Sequence, residues 1–351
     1  MNQIIKNDIT SIINSLKNEV FELNEKTILF AGGGGFLGFY FLNFFERLVI
    51  EKKINLKVIF IDNFVSSSKD FKNENNQSQN FEFLQMDICN PEILNLNYKI
   101  DYIVHAAGIA SPHYYRLKPM ETLDVSINGS KNLLELAKKS KAKYTFFSSS
   151  EIYGDPFSDF VPINEKYRGN VSTLGPRACY DEGKRVGETL CYIYQNYYDV
   201  HTNIIRPFNI YGPGMHQNDY RVMSNFANNF LKEKPLSVYG HGKQTRTFCY
   251  ISDGIEGFLR VILFGKSGEA YNIGNQTPEI NMIDLAKLFY DIFNKKHNID
   301  IVDYPSSYPE DEPNRRCPDT TKAKIDVDFI AKVSLEKGIK NYISWCKNVF
   351  T

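Results

Sequence analysis

Short apolar runs alternate with amphipathic stretches along the first 210 residues of this chain. Thr27 to Ala31 and Leu56 to Ile61 are short, apolar and partly β-branched, which is typical of buried strands. Similar runs follow at 81–86, 102–105, 143–148 and 199–206. Residues near 36–50, 116–140 and 177–198 have the spacing or length of helices. Strands that alternate with helices predict an α/β fold with a parallel, doubly wound sheet and right-handed crossovers.

The two ends of the chain have different patterns. Beyond residue 210, Pro and Gly separate shorter elements, with helix-like segments near 219–232, 253–264, 281–294 and 334–349. We therefore expect a main domain over 26–210, to which later segments return, and a smaller mixed α/β lobe over most of 211–351. Residues 1–25 predict an amphipathic helical extension, with Asp8 as a candidate N-cap, that packs on the main domain or on a partner subunit.

Charge and composition argue against several classes of protein. The 41 Lys and Arg balance 41 Asp and Glu, so the net charge is zero, which argues against non-specific binding to nucleic acid or to an anionic membrane. The six cysteines include no Cys-x-x-Cys pair and the six histidines are scattered, so we expect no metal site. We find no signal peptide and no span long enough for a bilayer, and expect a cytoplasmic protein with reduced thiols.

A glycine-rich turn follows the first predicted strand. It has the spacing Gly32-x-x-Gly35-x-x-Gly38, and Gly33-x-Gly35-x-x-Gly38 is also satisfied. Such a turn lets the backbone approach a pyrophosphate at the N-terminus of the next helix. Asp62 ends the second strand at the distance expected for a carboxylate that binds the adenosine ribose. Because this carboxylate would repel a 2′-phosphate, we predict a Rossmann-type fold that binds NAD and not NADP.

Further cofactor contacts are predicted around the same edge of the sheet. Ligands of doubly wound sheets bind at the carboxyl ends of the strands. The residues expected there are Phe36, Leu37, Asn63, Phe64, Asp87, Ile88, Ala106 and Ala107.

Tyr180 and Lys184 lie four residues apart, which is one turn of a helix. An ammonium group at this distance stabilises the phenolate and lowers the tyrosine pKa toward neutrality, which makes the phenol a usable general base. By itself such a pair is also common on ordinary helix surfaces. Ser149 and Glu151, however, follow the fifth predicted strand and bring a hydroxyl and a carboxylate to the same edge of the sheet.

Arginines after residue 200 are candidates for contacts to a diphosphate or a nucleotide, because a guanidinium binds phosphate with two parallel hydrogen bonds. These candidates are Arg206, Arg221, Arg246 and Arg316, with Asn209 close to the first of them.

At these residues the chain resembles the extended short-chain dehydrogenase/reductase family, and within it the UDP-glucuronate decarboxylases. The resemblance covers about residues 26 to 347. Its most specific stretch runs from Gly169 through Gly175-Pro-Arg-Ala-Cys-Tyr-Asp-Glu-Gly-Lys-Arg185. Shorter matches are at 62–64, 110–112, 149–156, 240–246 and 311–319.

The resemblance implies decarboxylation of UDP-glucuronate to UDP-xylose through a 4-keto intermediate, with internal recycling of NAD. Tyr180, activated by Lys184, would take the proton of the sugar 4-hydroxyl, with Ser149 at O4 and Glu151 near C5. Tyr115 would contact the sugar, and Asn209 and Arg246 would hold the diphosphate. We also expect the nucleotide sugar to contact Arg221, Val222, Tyr239, Gln244 and Arg316. A homodimer formed through the helices near 116–140 and 177–198 is implied as well.

Other activities remain open on the sequence alone. A 4,6-dehydratase acting on a dTDP-, UDP-, CDP- or GDP-hexose would share the Tyr, Lys and Glu, but many dehydratases have an Asp where this chain has Ser150. That Asp protonates a leaving hydroxyl, whereas carbon dioxide leaves without a proton. A 4-epimerase would leave Glu151 without a task. A non-catalytic NAD-binding regulator would not need the complete set of Ser149, Glu151, Tyr180 and Lys184.

Overall fold

The computed structural model describes residues 2–67, 79–304 and 313–350. Most of the exposed loop predicted at 66–80 lies outside the described residues, as do Asp311 and Glu312 of the motif at 311–319. The helices are α1 Gln3–Leu16, α2 Phe36–Lys52, α3 Pro112–Leu117, α4 Pro119–Asp124, α5 Ser130–Ser140, α6 Ala178–Tyr198, α7 Val222–Leu231, α8 Ile251–Phe264, α9 Met282–Asp291, α10 Thr321–Val327 and α11 Leu335–Cys346.

The strands are mostly short, and the longer ones belong to the main sheet. They are β1 Lys26–Ala31, β2 Leu56–Asp62, β3 Phe81–Gln85, β4 Tyr102–His105, β5 Lys143–Phe147, β6 Thr202–Pro207, β7 Ile210–Tyr211, β8 Leu236–Tyr239, β9 Thr245–Arg246, β10 Cys249–Tyr250, β11 Glu269–Ile273, β12 Ile280–Asn281, β13 Ile299–Val302 and β14 Arg315–Arg316.

Seven strands form one parallel sheet in the order β11-β6-β5-β4-β1-β2-β3. This order confirms the predicted Rossmann-type α/β fold, because successive strands are added on one side of β1 up to β3 and on the other side from β4 onward, which leaves a crevice between β1 and β4. Ala31 lies level with Ile61 of β2 and His105 of β4, so the residues after these strands meet at one edge. Strand β11 was not predicted. It comes from beyond residue 210, and the division of the chain at residues 25 and 210 stays a prediction.

The helix predicted over 116–140 is divided into α3, α4 and α5. Pro119 has no N–H to donate, and it disfavours the helical conformation of the residue before it. Lys118 accordingly has φ −133° and ψ 58°, which ends α3. A wide helical turn over Val125–Gly129 then separates α4 from α5.

Helix α1 packs on the main body of the protein. Five of its apolar residues, Ile5, Ile9, Ile12, Ile13 and Leu16, are at most 3% exposed and belong to the large core cluster. The helix contacts α8, which lies about 245 residues later in the chain.

The predicted N-cap of this helix was wrong. The side chain of Asn2 caps α1 by accepting from the N–H of Ile4, because Asn2 stands directly before the first helical turn. Asp8 is buried in the middle of the helix, where its carboxylate accepts hydrogen bonds from the hydroxyls of Tyr40 and Tyr250.

Three small sheets lie in the C-terminal part of the chain: β10-β7, β12-β9-β14 and β13-β8. In the second of them, β14 runs parallel to β9 and pairs Arg316 with Arg246. Two arginines that are 70 residues apart in sequence are thereby placed side by side. Among the described residues, no helix is both long and apolar enough to cross a membrane.

Candidate active site

The turn between β1 and α2 brings backbone atoms close together at the crevice. Gly32 has φ +93°, and a Cβ there would lie 2.6 Å from the backbone nitrogen of Ala107 at the end of β4. A Cβ at Gly38 would lie 2.2 Å from the carbonyl oxygen of Gly33. Neither position therefore has room for a side chain, and the helix can lie directly against the turn.

Helix α2 begins at the cavity that this turn faces. Gly35 is its N-cap, and Gly35, Phe36 and Leu37 line the cavity together with Ala106 from the neighbouring strand end. The first N–H groups of a helix have no partner within the helix and carry its positive dipole end. The residues present therefore fit the pyrophosphate of a dinucleotide.

Two carboxylates stand at the adjoining strand ends. Asp62 accepts from the N–H of Gly34 at 2.8 Å and from the N–H of Phe64 at 2.7 Å, which orients its carboxylate beside the glycine turn. The side-chain amide of Asn63 donates to Asp87 at 3.0 Å and joins the ends of β2 and β3. This arrangement fits hydroxyl groups of a ribose and disfavours an additional phosphate there.

Tyr180 lies in the first turn of α6 and faces the cavity. Its ring stacks on that of Tyr115 with centroids 5.6 Å apart, and its hydroxyl is hydrogen-bonded to Ser149. Lys184 is 4% exposed and donates to the carbonyl oxygen of Phe147 at 2.7 Å. The Lys184 ammonium lies 5.8 Å from the centre of the Tyr180 ring, so the pair predicted from helical spacing does come together.

The prediction that the pKa of Tyr180 is lowered was wrong when the side chains and backbone of the protein alone are considered. Burial raises the pKa of Tyr180 to about 12, although the hydrogen bond to Ser149 lowers it. Burial also lowers the pKa of Lys184 to about 8. Removal from water disfavours both charged forms and here outweighs the effect of the helical spacing.

Glu151 is held by two arginines. Nη1 of Arg316 donates to Oε1 of Glu151, and Nη2 of Arg316 donates to Oε2 at 2.7 Å. Nη2 of Arg177 also donates to Oε2. Burial opposes the charge on Glu151, but the attraction of Arg177 and Arg316 outweighs burial and lowers the pKa of Glu151 to about 2. Glu151 is therefore ionised at neutral pH and has no proton to give.

The far end of the cavity is cationic and rich in amides. Arg246 donates to the carbonyl oxygens of Thr245 at 2.8 Å and Pro313 at 2.7 Å. Asn209 donates to the carbonyl oxygen of Thr247 at 2.8 Å. These side chains are held by backbone groups, and this part of the cavity suits an anion.

Most of the predicted site residues line this one cavity. Those that do are Gly32, Gly35, Phe36, Leu37, Ala106, Tyr115, Ser149, Glu151, Tyr180, Lys184, Asn209, Arg221, Val222, Tyr239, Gln244, Arg246 and Arg316. The others lie beside it at strand ends or behind the turn: Gly38, Asp62, Asn63, Phe64, Asp87, Ile88 and Ala107. Among the described residues, no group of His, Cys, Asp or Glu is arranged to hold a metal ion.

One candidate phosphate ligand has a different position. Arg206 is 8% exposed and does not line the cavity. Its guanidinium donates to both carboxylate oxygens of Glu188, at 2.9 and 2.6 Å, and to the Tyr153 hydroxyl at 2.7 Å. The N–H groups of Arg206 thus bind partners within the protein, so Arg206 stabilises the fold and does not contact the cavity.

Sequence reasoning missed the partners of Glu151. Arg177 belongs to the specific stretch at 169–185, but no role was predicted for it. Arg316 was expected to contact the nucleotide or the diphosphate. One signal was available for Arg177. It lies four residues before Asp181 at the start of α6, which is the spacing of an ion pair on a helix and would have marked Arg177 as a paired cation.

The model of the NAD dependent epimerase/dehydratase family matches residues 28–274, which is more than half of the chain. The chain belongs to this family. Family members therefore provide the closest guide to the chemistry of the cavity.

Two similar proteins of known sequence are named as decarboxylases. UDP-glucuronic acid decarboxylase 2 of Arabidopsis thaliana is 39% identical over 312 residues, which are 89% of this chain and 66% of that protein. The chain thus spans slightly less than two thirds of that relative. UDP-glucuronic acid decarboxylase 1 of Xenopus tropicalis is 37% identical over 92% of this chain and 73% of that protein.

A solved structure of similar fold contains both a cofactor and a nucleotide sugar. A mutant UDP-glucuronic acid 4-epimerase of Bacillus cereus, solved with NAD and a fluorinated UDP-glucuronic acid, is 26% identical to this chain. The two structures have a TM-score of 0.79 over 92% of this chain and 100% of that one.

Proposed function

We propose that this protein is a carboxy-lyase that converts UDP-glucuronate to UDP-xylose, with NAD as a cofactor that is regenerated in each cycle. The observation that carries the proposal is the environment of Glu151. Its carboxylate is ionised between Arg177 and Arg316, and the residue before it is the buried Ser150. Many dehydratases have an Asp at this position to protonate a leaving hydroxyl, whereas carbon dioxide leaves without a proton.

The charge of the cavity also suits this substrate. Among the described residues, the charged side chains that line the cavity are one carboxylate, Glu151, and five cations: Arg177, Lys184, Arg221, Arg246 and Arg316. UDP-glucuronate has a diphosphate and a sugar carboxylate, so it complements this excess of positive charge better than a neutral hexose nucleotide does. The decarboxylase relatives support the same assignment.

The chain's own residues provide the acid–base chemistry. Bound NAD supplies the hydride acceptor for oxidation at C4 and the donor for its reversal. Tyr180, with Ser149 beside it and Lys184 behind it, accepts the proton of the 4-hydroxyl as C4 is oxidised; the positive charges of Lys184 and of the oxidised nicotinamide would offset the burial that raises the pKa of Tyr180. The 4-keto sugar is a β-keto acid, so the bond between C5 and C6 breaks and its electron pair moves to the C4 oxygen. Tyr180 then stabilises this enolate by hydrogen bonding.

Protonation of C5 follows the loss of carbon dioxide, and Tyr180 returns its proton to the C4 oxygen when C4 is reduced again. Because the pKa of Glu151 is lowered to about 2, Glu151 orients a water molecule that supplies this proton and does not supply it itself. Tyr115 contacts the sugar, Asn209 and Arg246 hold the diphosphate, and Arg221, Val222, Tyr239 and Gln244 surround the nucleotide end.

The test is a product assay. Purified protein is incubated with NAD and UDP-glucuronate, and separately with UDP-, dTDP-, CDP- and GDP-hexoses. We expect equal amounts of carbon dioxide and UDP-pentose from UDP-glucuronate, without net NADH. A 4-keto-6-deoxy sugar from a neutral hexose, with UDP-glucuronate inert, would identify a 4,6-dehydratase. Formation of UDP-galacturonate without carbon dioxide would identify an epimerase.

We further propose that the protein is a cytoplasmic homodimer. Four large apolar side chains on or beside α4 and α6, Leu117, Met120, Tyr192 and Tyr197, are between 61% and 72% exposed. A second copy of the same two helices would cover them. All six cysteines are free thiols, which is compatible with a reducing compartment.

Light scattering tests the dimer. Tyr192→Glu should shift the mass from two chains to one, because a charge would be buried in the interface. Ile325→Glu is the matched control, since Ile325 is 75% exposed on α10 and away from these helices. A monomeric wild-type protein would contradict the proposal. Localisation of the tagged full-length protein in its own cell tests the compartment.

A further inference from the structure

Asp181 is a buried carboxylate that the reaction scheme above does not use. It follows Tyr180 in the first turn of α6 and is 6% exposed. It does not line the cavity, although Tyr180, Arg177 and Glu151 do. Its Oδ1 atom is buried without a hydrogen-bond partner among the residues that the structure describes. A carboxylate oxygen in this state disfavours folding, so its presence requires an explanation.

The explanation lies in Arg177, which stands between two carboxylates. The Nη2 atom of Arg177 donates to Glu151, and its Nε atom lies 3.6 Å from Oδ2 of Asp181. Arg177 is the N-cap residue of α6, where the positive end of the helix dipole disfavours a guanidinium. The two carboxylates therefore stabilise Arg177 at a position that the helix itself disfavours.

Glu151 and Asp181 differ in the number and length of their contacts with arginines. Glu151 takes both donors of Arg316 as well as Arg177, and these cations lower the pKa of Glu151 to about 2. Within the described part of the chain, Asp181 has the longer contact with Arg177, and burial together with the charge of Glu151 raises the pKa of Asp181 to about 7. Asp181 thus gains little for itself from this contact, whereas Arg177 gains an anchor besides Glu151.

We propose that Asp181 is a positioning residue that holds Arg177 against Glu151 and so fixes the Glu151 carboxylate beside C5 of the sugar. This inference rests on the proposed function, because Glu151 has its task after carbon dioxide has left. Loss of Asp181 removes one of the groups that anchor Arg177 and so loosens the hold of Arg177 on the Glu151 carboxylate. The chemical step then slows, while the groups that bind the nucleotide and NAD stay in place.

The matched pair of variants is Asp181→Asn and Glu182→Gln. Asparagine keeps the size of Asp181 and removes its charge. Glu182 is the next residue of the same helix, but its side chain is 30% exposed and pairs with Arg185. We expect Asp181→Asn to lower kcat for UDP-pentose about tenfold or more, with KM and NAD affinity changed less than about threefold. Glu182→Gln should match the wild type.

A double-mutant cycle separates positioning from a general structural role. In a Glu151→Gln background, Asp181→Asn should cause no further loss of kcat, because Asp181 acts through Glu151. Arg177→Lys should behave like Asp181→Asn in both backgrounds, since an ammonium cannot span the two carboxylates as a guanidinium does. This variant keeps the inference testable if Asp181→Asn does not fold.

The outcomes are distinct. Unchanged kcat in Asp181→Asn or in Arg177→Lys, or an equal loss in the presence and absence of Glu151, would overturn the positioning role. If wild-type protein forms no UDP-pentose from UDP-glucuronate, the proposed function fails first, and the role of Asp181 in that reaction fails with it.

Discussion

Two glycines of the turn between β1 and α2 should respond differently to the same substitution. At Gly38, a Cβ would lie 2.2 Å from the Gly33 carbonyl oxygen, about 1.2 Å closer than an ordinary contact of 3.4 Å. At Gly35, the nearest heavy atom to a Cβ is 3.5 Å away, and φ is −87°, which alanine adopts readily. Gly38→Ala must therefore move α2, whereas Gly35→Ala leaves the protein's own packing intact.

The expected magnitudes follow from these distances. Overpacking of this kind costs about 1–3 kcal/mol, which at about 2–4 °C per kcal/mol lowers Tm by several degrees in Gly38→Ala. Gly35→Ala loses only the preference of an N-cap for glycine over alanine, about 1 kcal/mol. Because Gly35 lines the cavity, its new methyl group would occupy the space into which the pyrophosphate fits. We expect NAD affinity to fall at least about tenfold, or 1.4 kcal/mol.

Thermal unfolding and calorimetric titration with NAD measure the two effects separately. Gly35→Ala should keep a Tm within a few degrees of the wild type and lose NAD affinity. Gly38→Ala should lose stability even without NAD. Wild-type NAD affinity in Gly35→Ala would refute the assignment of this turn as the pyrophosphate site. An unchanged Tm in Gly38→Ala would refute the packing argument.

Three further predictions concern ionisable groups. Tyr180→Phe should lower turnover at least about hundredfold through loss of acid–base catalysis, with NAD affinity retained in the same titration; activity near wild type would exclude Tyr180 as the base. Because burial lowers the pKa of Lys184 to about 8, turnover should decline as pH rises through about 8 and the ammonium is lost; a flat rate profile from pH 7 to 9.5 would contradict this. Burial raises the pKa of Asp8 to about 6 from 3.8, so its contribution to stability is present below pH 3.8 and is lost as pH rises through 6, by about 3 kcal/mol. Asp8→Asn should therefore flatten the pH dependence of the unfolding free energy, measured with urea between pH 4 and 8, and an unchanged slope would show that Asp8 is not buried as described.

The parts of the fold that were predicted depend on neighbours in sequence. The glycine turn, Asp62 at a strand end and the pair Tyr180 and Lys184 each follow from spacing within one turn or one strand. Strand β11 was missed because its five residues carry a weak local pattern, and its place in the sheet depends on pairing with β6, more than 60 residues earlier. The division of the helix predicted over 116–140 had a local cause in Pro119, and that signal was overlooked.

In the candidate site as well, local features were predicted from the sequence and contacts between distant residues were not. Alternating patterns and the glycine turn were sufficient to predict a Rossmann-type fold with an NAD site and a Tyr–Lys pair, because strand and helix periods bring such residues together locally. The partners of Glu151 lie 26 residues away at Arg177 and 165 residues away at Arg316, and only the folded chain brings them into contact. Burial raises the pKa of Tyr180, against the local expectation. Burial also opposes the charge on Glu151, which stays ionised because nearby guanidinium groups, chiefly those of Arg177 and Arg316, lower its pKa. The physical reason is that removal from water and the opposing charges act through space, and no pattern along the chain records them.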